Sequence, residues 1–171
     1  MTTTAQTFDL NVYDQLLHYI DGVLPFEGFT LKQWSEKLTL PPIPEYIEIA
    51  DLNVLHTTAH QFSETIFANL ALAKARLIGA KASLNKKLNV TEYNIRDEIN
   101  KSPTKKLPAS SVIENRAFNA SLSEMQAQTV CEIFAEYWKT QAQKLESFNS
   151  RLTTLSYTVN QENRLSTYGN N

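Results

Sequence analysis

Residues 50–88 read ADLNVLHTTAHQFSETIFANLALAKARLIGAKASLNKKL, and this stretch decides the fold. Apolar or small residues recur at Leu55, Ala59, Phe62, Ile66, Leu70, Ala73, Leu77, Ala80, Leu84 and Leu88. Steps of three and four match the turn of an α-helix, so the spacing predicts one helix with a continuous apolar stripe. No proline interrupts it, and Gly79 is the only strong helix weakener inside.

A second long helix is expected from 112 to about 158. Ser111 and Glu114 form a capping-box pattern that opens it. Its late part carries a heptad seam, Leu145, Phe148, Leu152, Leu155 and Val159. The earlier part is wider and more aromatic, with Phe118, Leu122, Met125, Val130, Ile133, Phe134, Tyr137 and Trp138, which implies more than one partner helix. At ~47 residues such a helix spans ~70 Å. Between the two helices, residues 89–110 have weak periodicity, turn-forming Asn and Ser, and Pro103 and Pro108. This composition predicts a loop or hinge with at most one turn near Ile95.

Residues 1–44 read as a two-helix arm. Asp9 is placed to cap a helix through Val12, Leu16, Leu17 and Ile20, with Phe8 as a staple, and Asp21-Gly22 ends it. Thr30 and Gln33 form a capping box ahead of Leu31, Trp34 and Leu38, and Pro41, Pro42 and Pro44 stop that helix. The expected organisation is therefore an arm (1–44), a long-helix hairpin (45–160) with a basic loop (89–110), and a polar tail (161–171). The fold class is all-α: two long helices in an antiparallel, coiled-coil-like bundle. No repeat and no strand-like alternation is present. A short arm covers little of two such helices, so self-association is expected.

The length of 171 residues fits one domain with an arm, and the 42% hydrophobic share and 4 Gly are ordinary for a helical protein. The opening residues lack the basic start and apolar run of a signal peptide, and no stretch approaches the length of a membrane span. The expectation is a cytoplasmic protein, in the host cytoplasm if viral, with no membrane contact. Cys131 stands alone among apolar neighbours and is expected to be a buried structural thiol.

Chemistry of the catalytic kind is sparse. His56, His60 and Glu64 recur every four residues and could face one way, yet the glutamate of a zinc-protease helix is missing beside His56. A solvated polar stripe is the reading preferred over a metal site. There is no glycine-rich phosphate loop, no paired Glu-x-x-His, and no nucleophile set, so neither an enzyme nor a cofactor is expected.

Charge is the informative feature. Residues 1–73 hold 2 basic and 9 acidic side chains, residues 74–106 hold 9 and 3, and residues 107–171 hold 5 and 6. The middle section carries Lys74, Arg76, Lys81, Lys86, Lys87, Arg96, Lys101, Lys105 and Lys106. A basic waist between acidic neighbours is a plausible track for phosphates, whose binding releases counterions. Only Tyr93 lies within it to stack on a base, so binding is expected to be sequence-independent and salt-sensitive.

Ala73-Lys74-Ala75-Arg76-Leu77 on a helical chain, followed by a basic segment and a long closing helix with Tyr137-Trp138 and Asn149-Ser150-Arg151-Leu152, resembles the UvsY-type recombination mediators of tailed phages. The resemblance covers at most residues 50–160, and the acidic arm has no counterpart in that pattern. It implies a helical, ring-forming homo-oligomer that binds single-stranded DNA and helps load a recombinase onto strands covered by single-strand-binding protein. It also implies that Lys74 and Arg76 contact phosphate; the other cations extend the site on charge alone. The competing expectation is a helical scaffold, adaptor or virion structural protein whose basic waist meets the acidic arm of a neighbouring copy.

Overall fold

A computed structural model describes residues 18–44, 46–101 and 109–168. The first helix expected in the arm lies mostly outside the described residues; its visible end, residues 18–22, is helical and stops at Gly22. Val23 and Leu24 donate their N–H groups back to the Tyr19 carbonyl, at 2.9 and 3.2 Å. Next comes a two-stranded hairpin that the periodicity did not reveal, β1 (Pro25–Phe26) and β2 (Phe29–Thr30). The strands run antiparallel, with Pro25 opposite Thr30 and Phe26 opposite Phe29. Glu27 and Gly28 turn the chain with φ of 49° and 86°. Two successive positive φ values suit the right-handed twist of a tight hairpin, and Gly28 takes its value without steric cost.

Helix α1 (Leu31–Lys37) starts where the capping box places it. The Thr30 N–H donates to Gln33 Oε1 at 2.9 Å, and the Gln33 N–H to Thr30 Oγ1 at 3.3 Å. Trp34 ties the helix to the hairpin: its indole N–H donates to the Phe26 carbonyl at 2.7 Å. The Phe29 ring meets the Trp34 ring edge-on at 5.0 Å, with Lys37 Nζ 3.9 Å from the Phe29 centroid. Ile20, Phe26, Leu31, Trp34 and Leu38 are buried, so the arm has an apolar centre around one satisfied indole.

Two long helices follow, α2 (Ile49–Asn100) and α4 (Leu122–Tyr168), joined through the shorter α3 (Ser110–Asn119). The chain divides into two compact units, residues up to 62 with those from 154, and residues 63–153. In the first unit Leu52, Leu55 and Ala59 are buried on α2, and His56 Nε2 lies 3.1 Å from Ser156 Oγ on α4. In the second unit Lys81 faces Glu132 and Lys87 lies near Glu124, so residue numbers rise along one helix as they fall along the other. The expected antiparallel pairing of two long helices is present. Of the stripe on α2, Leu55, Ala59, Ile66 and Ala73 are buried, while Phe62, Leu70, Leu77, Ala80, Leu84 and Leu88 are half-buried. On α4, Phe134, Trp138, Ala142, Leu145, Phe148 and Leu152 are buried.

Four expectations need correction. Residues 89–100 are helix, not loop: α2 runs to Asn100 without a break. Asparagine costs a helix only tenths of a kcal/mol, up to about 0.7, and neither Gly nor Pro occurs before Pro103. The stripe also continues, through half-buried Ile95 to buried Ile99. The second long helix is interrupted at Ala120-Ser121. Ser121 is fully buried and its hydroxyl donates to the Ala117 carbonyl at 2.9 Å, while its own carbonyl accepts from the Met125 N–H. Ile113 and Ala117 of α3, with Ser121 just after it, are buried, which leaves Phe118 and Leu122 about half exposed rather than on an apolar face. The helix opens two residues earlier than the capping box proposed: Ala109 precedes it, and the Ser110 hydroxyl donates to Glu114 Oε1 at 2.9 Å. Lastly, residues 161–168 of the expected tail are the end of α4.

The helical reading of 89–100 is open to a direct check. Asn94 is exposed in mid-helix, so Asn94→Pro should lower far-UV circular dichroism and stability by about 3 kcal/mol, whereas Asn94→Ala should be neutral or slightly stabilising. If this segment were an irregular loop, Asn94→Pro would leave helicity unchanged.

Candidate nucleic-acid interface

Seven of the nine cations in the basic waist are placed by α2 and the turn at its end; Lys105 and Lys106 lie outside the described residues. Lys74, Arg76, Lys81, Lys86, Lys87, Arg96 and Lys101 are all exposed. They do not form one track. Residues two apart on an α-helix differ by about 200° in direction, so Lys74 and Arg76 point to different sides. Seven-residue and eleven-residue separations bring side chains nearly back into line, so Lys74 shares a flank with Lys81 and Arg76 shares one with Lys87.

The two flanks differ from the outward face in their surroundings. Lys81 Nζ lies 3.5 Å from Glu132 Oε1, which also accepts from Gln128 Nε2 at 2.9 Å. Both members of the ion pair are about half exposed, so it is worth about 0–1 kcal/mol. The Glu124 carboxyl is held below its usual range, first by the Ser123 hydroxyl at 2.7 Å, then by its own backbone N–H, and more weakly by the Lys87 charge. Arg76 lies close enough to Cys131 for its charge to favour the thiolate, but burial acts more strongly and pushes the Cys131 thiol up. Cys131 is half-buried, not enclosed as expected. Lys101 bonds Asp97 at 2.6 Å; that hydrogen bond, with the Asp97 charge, raises the Lys101 pKa. Among the described residues Lys74, Lys86 and Arg96 form no ion pair.

Because α2 continues to Asn100, it assembles a group that a loop would have scattered. Asn89, Tyr93, Arg96 and Asn100 stand at spacings of four, three and four, on one outward stripe ~16 Å long, and all four are exposed. Tyr93 is 70% exposed, a phenol ring held in water on a rigid helix. Lys86 heads the same face, seven residues before Tyr93. Asn89 and Asn100 did not stand out as site residues in the sequence. The signal is the same three-and-four spacing, masked in the sequence because asparagine is also a common turn former.

The histidine stripe has a structural use at one end, since His56 is hydrogen-bonded to Ser156. Among the described residues no group of three His, Cys, Asp or Glu could hold a metal ion, and no helix is long and apolar enough to cross a membrane. No protein family, curated protein or solved structure matches the chain.

The placement of Cys131 gives a pH dependence that can be measured. Its thiol titrates above the ordinary thiol range, so alkylation rates followed from neutral to alkaline pH should rise late. Arg76→Ala removes the charge that favours the thiolate, which should move the profile to still higher pH. A profile that is unchanged in Arg76→Ala would show that the guanidinium does not act on the sulfur, and one that moves to lower pH would contradict its favouring the thiolate.

Proposed function

We propose that this chain is a non-enzymatic, self-associating protein that binds single-stranded DNA through α2 and acts as a recombination mediator, helping to load a recombinase onto strands covered by single-strand-binding protein. The observation that carries the binding part is the outward stripe Asn89, Tyr93, Arg96 and Asn100. An exposed aromatic ring beside a guanidinium offers stacking and phosphate neutralisation together, the two contacts that sequence-tolerant single-strand binders combine. Asparagine side chains add donors and acceptors without fixing one base order. Lys105 and Lys106 follow in the sequence and add two further positive charges to the chain beyond α2.

The mediator role and the contribution of Lys74 and Arg76 come from the resemblance to UvsY-type proteins. Among the described residues Lys74 forms no ion pair, while Arg76 lies on the flank of Cys131. A second reading, a helical scaffold, adaptor or virion structural protein, is favoured by Lys81 meeting Glu132: part of the basic waist is spent on acidic groups of the protein itself.

Fluorescence-anisotropy titration of a labelled single strand, beside a duplex of equal length and at several salt concentrations, separates the two readings. Binding should favour the single strand and weaken with salt. Tyr93→Ala should cost about 1–3 kcal/mol of affinity, with Tyr93→Phe close to the parent protein. Arg96→Ala should flatten the slope of log affinity against log salt by about 0.7, the value for one phosphate contact on a single strand. Absence of binding at low salt would remove the mediator reading and leave the scaffold.

A further inference from the structure

Ahead of the Asn89–Asn100 stripe, the outward face of α2 is apolar. Within residues 63–153, Phe67 is 45% exposed and Ile78 is 69% exposed, and Ala68, Ala71, Ala75 and Ala82 are exposed with them. These lie on the side of the helix away from buried Ile66, Asn69 and Ala73. The outward face of α4 is built differently, from exposed Glu136, Lys139 and Gln143. Gly79 lies on the apolar face of α2, and a Cβ added there would meet nothing within 4 Å. The chain's own packing therefore has no use for glycine at that position, although glycine is among the poorest helix formers. Two large apolar side chains in water and a glycine without an internal reason have one common explanation, a helix approaching closely from outside.

We infer that the helix is the α2 of a second copy of this chain, docked antiparallel about a two-fold axis at Ala75. The apolar face ends in opposite charges, Glu64 before it and Lys86 after it, each eleven residues from Ala75. In an isologous contact, a residue standing before the axis on one copy meets the residue standing equally far after it on the other. Glu64 then faces the partner's Lys86, and Lys86 faces the partner's Glu64. Ala68 meets the partner's Ala82, and Ala71 meets the partner's Gly79, where the absent side chain lets the backbones close. A parallel pairing would instead set like charges side by side at both ends. Among the described residues neither Glu64 nor Lys86 has an ion-pair partner within its own chain. The contact is ~33 Å long and does not depend on nucleic-acid binding. It takes Lys86 into the interface and leaves Tyr93 and Arg96 beyond its end.

Sedimentation equilibrium of the full chain over a range of concentrations tests the pairing, with circular dichroism as the control for folding. The parent protein should associate in twos or in multiples of two. Ala75→Glu places two carboxylates at the axis and should weaken association by at least about tenfold. Glu64→Lys and Lys86→Glu should each weaken it severalfold, and the combined swap should return it to within about twofold of the parent. A monomer at every concentration, an association indifferent to Ala75→Glu, or a double swap that fails to restore it overturns the inference. A chain that pairs as described and binds no oligonucleotide retains this inference and loses only the DNA-binding one.

Discussion

Most of what this chain can do follows from one constraint: each long helix has one long inward apolar stripe, and only a long antiparallel neighbour can cover it. A fully buried Leu, Ile or Phe side chain contributes about 1.5–3 kcal/mol, so the stripe must be enclosed over many turns to offset the ordering of the backbone. In residues 63–153 that enclosure is deepest around Ile66 and Ala73 on α2 and Trp138, Leu145 and Leu152 on α4. It recovers at the end of α2 and the start of α3, where Ile99 and Ile113 are buried. Between these, Leu77, Ala80, Leu84 and Leu88 are only half-buried. The basic residues of α2 gather along this loosely covered length, where long cationic side chains lose little hydration.

Electrostatics then sorts those cations by direction. A helix sends neighbouring residues to different sides, so nine positive charges in a row of sequence cannot act as one surface. Two of those on the flanks of α2 meet acidic residues of α4, Lys81 at Glu132 and Lys87 at Glu124, and are partly neutralised at short range. The pairing energy is small in water and falls with salt, so it does not hold the helices together. Its effect is on what remains: the outward face keeps its charge and is the part of the waist a polyanion could reach.

The main elements were legible because their signals are redundant. The Thr30 and Gln33 capping box, the three-and-four steps of α2, and the Leu145, Phe148, Leu152 seam each specify a helix independently of tertiary context. The hairpin at Pro25–Thr30 was not legible, since strands of two residues have no periodicity and only the Glu27-Gly28 turn marks them. The break at Ser121 was hidden for another reason. Serine is a tolerable helix residue, and the bond of its hydroxyl to the Ala117 carbonyl exists only in the folded chain. The candidate site was half legible: the charges could be counted, but their directions depended on whether residues 89–100 were helix.

That last dependence links fold to function. As a loop, 89–100 would present Tyr93 and Arg96 on a backbone free to move, and any ligand would have to order it at an entropic cost. As the last three turns of α2, the same residues are fixed by half-buried Ile95 on the opposite side and by the burial of Ile99 next to it. The apolar stripe therefore does two things with one periodicity. It anchors the inner face, and because side chains three and four apart repeat all round the helix, it aligns Asn89, Tyr93, Arg96 and Asn100 on the outer one. Extending α2 by three turns past the expected end thus adds little core, yet it converts scattered polar residues into a preorganised surface.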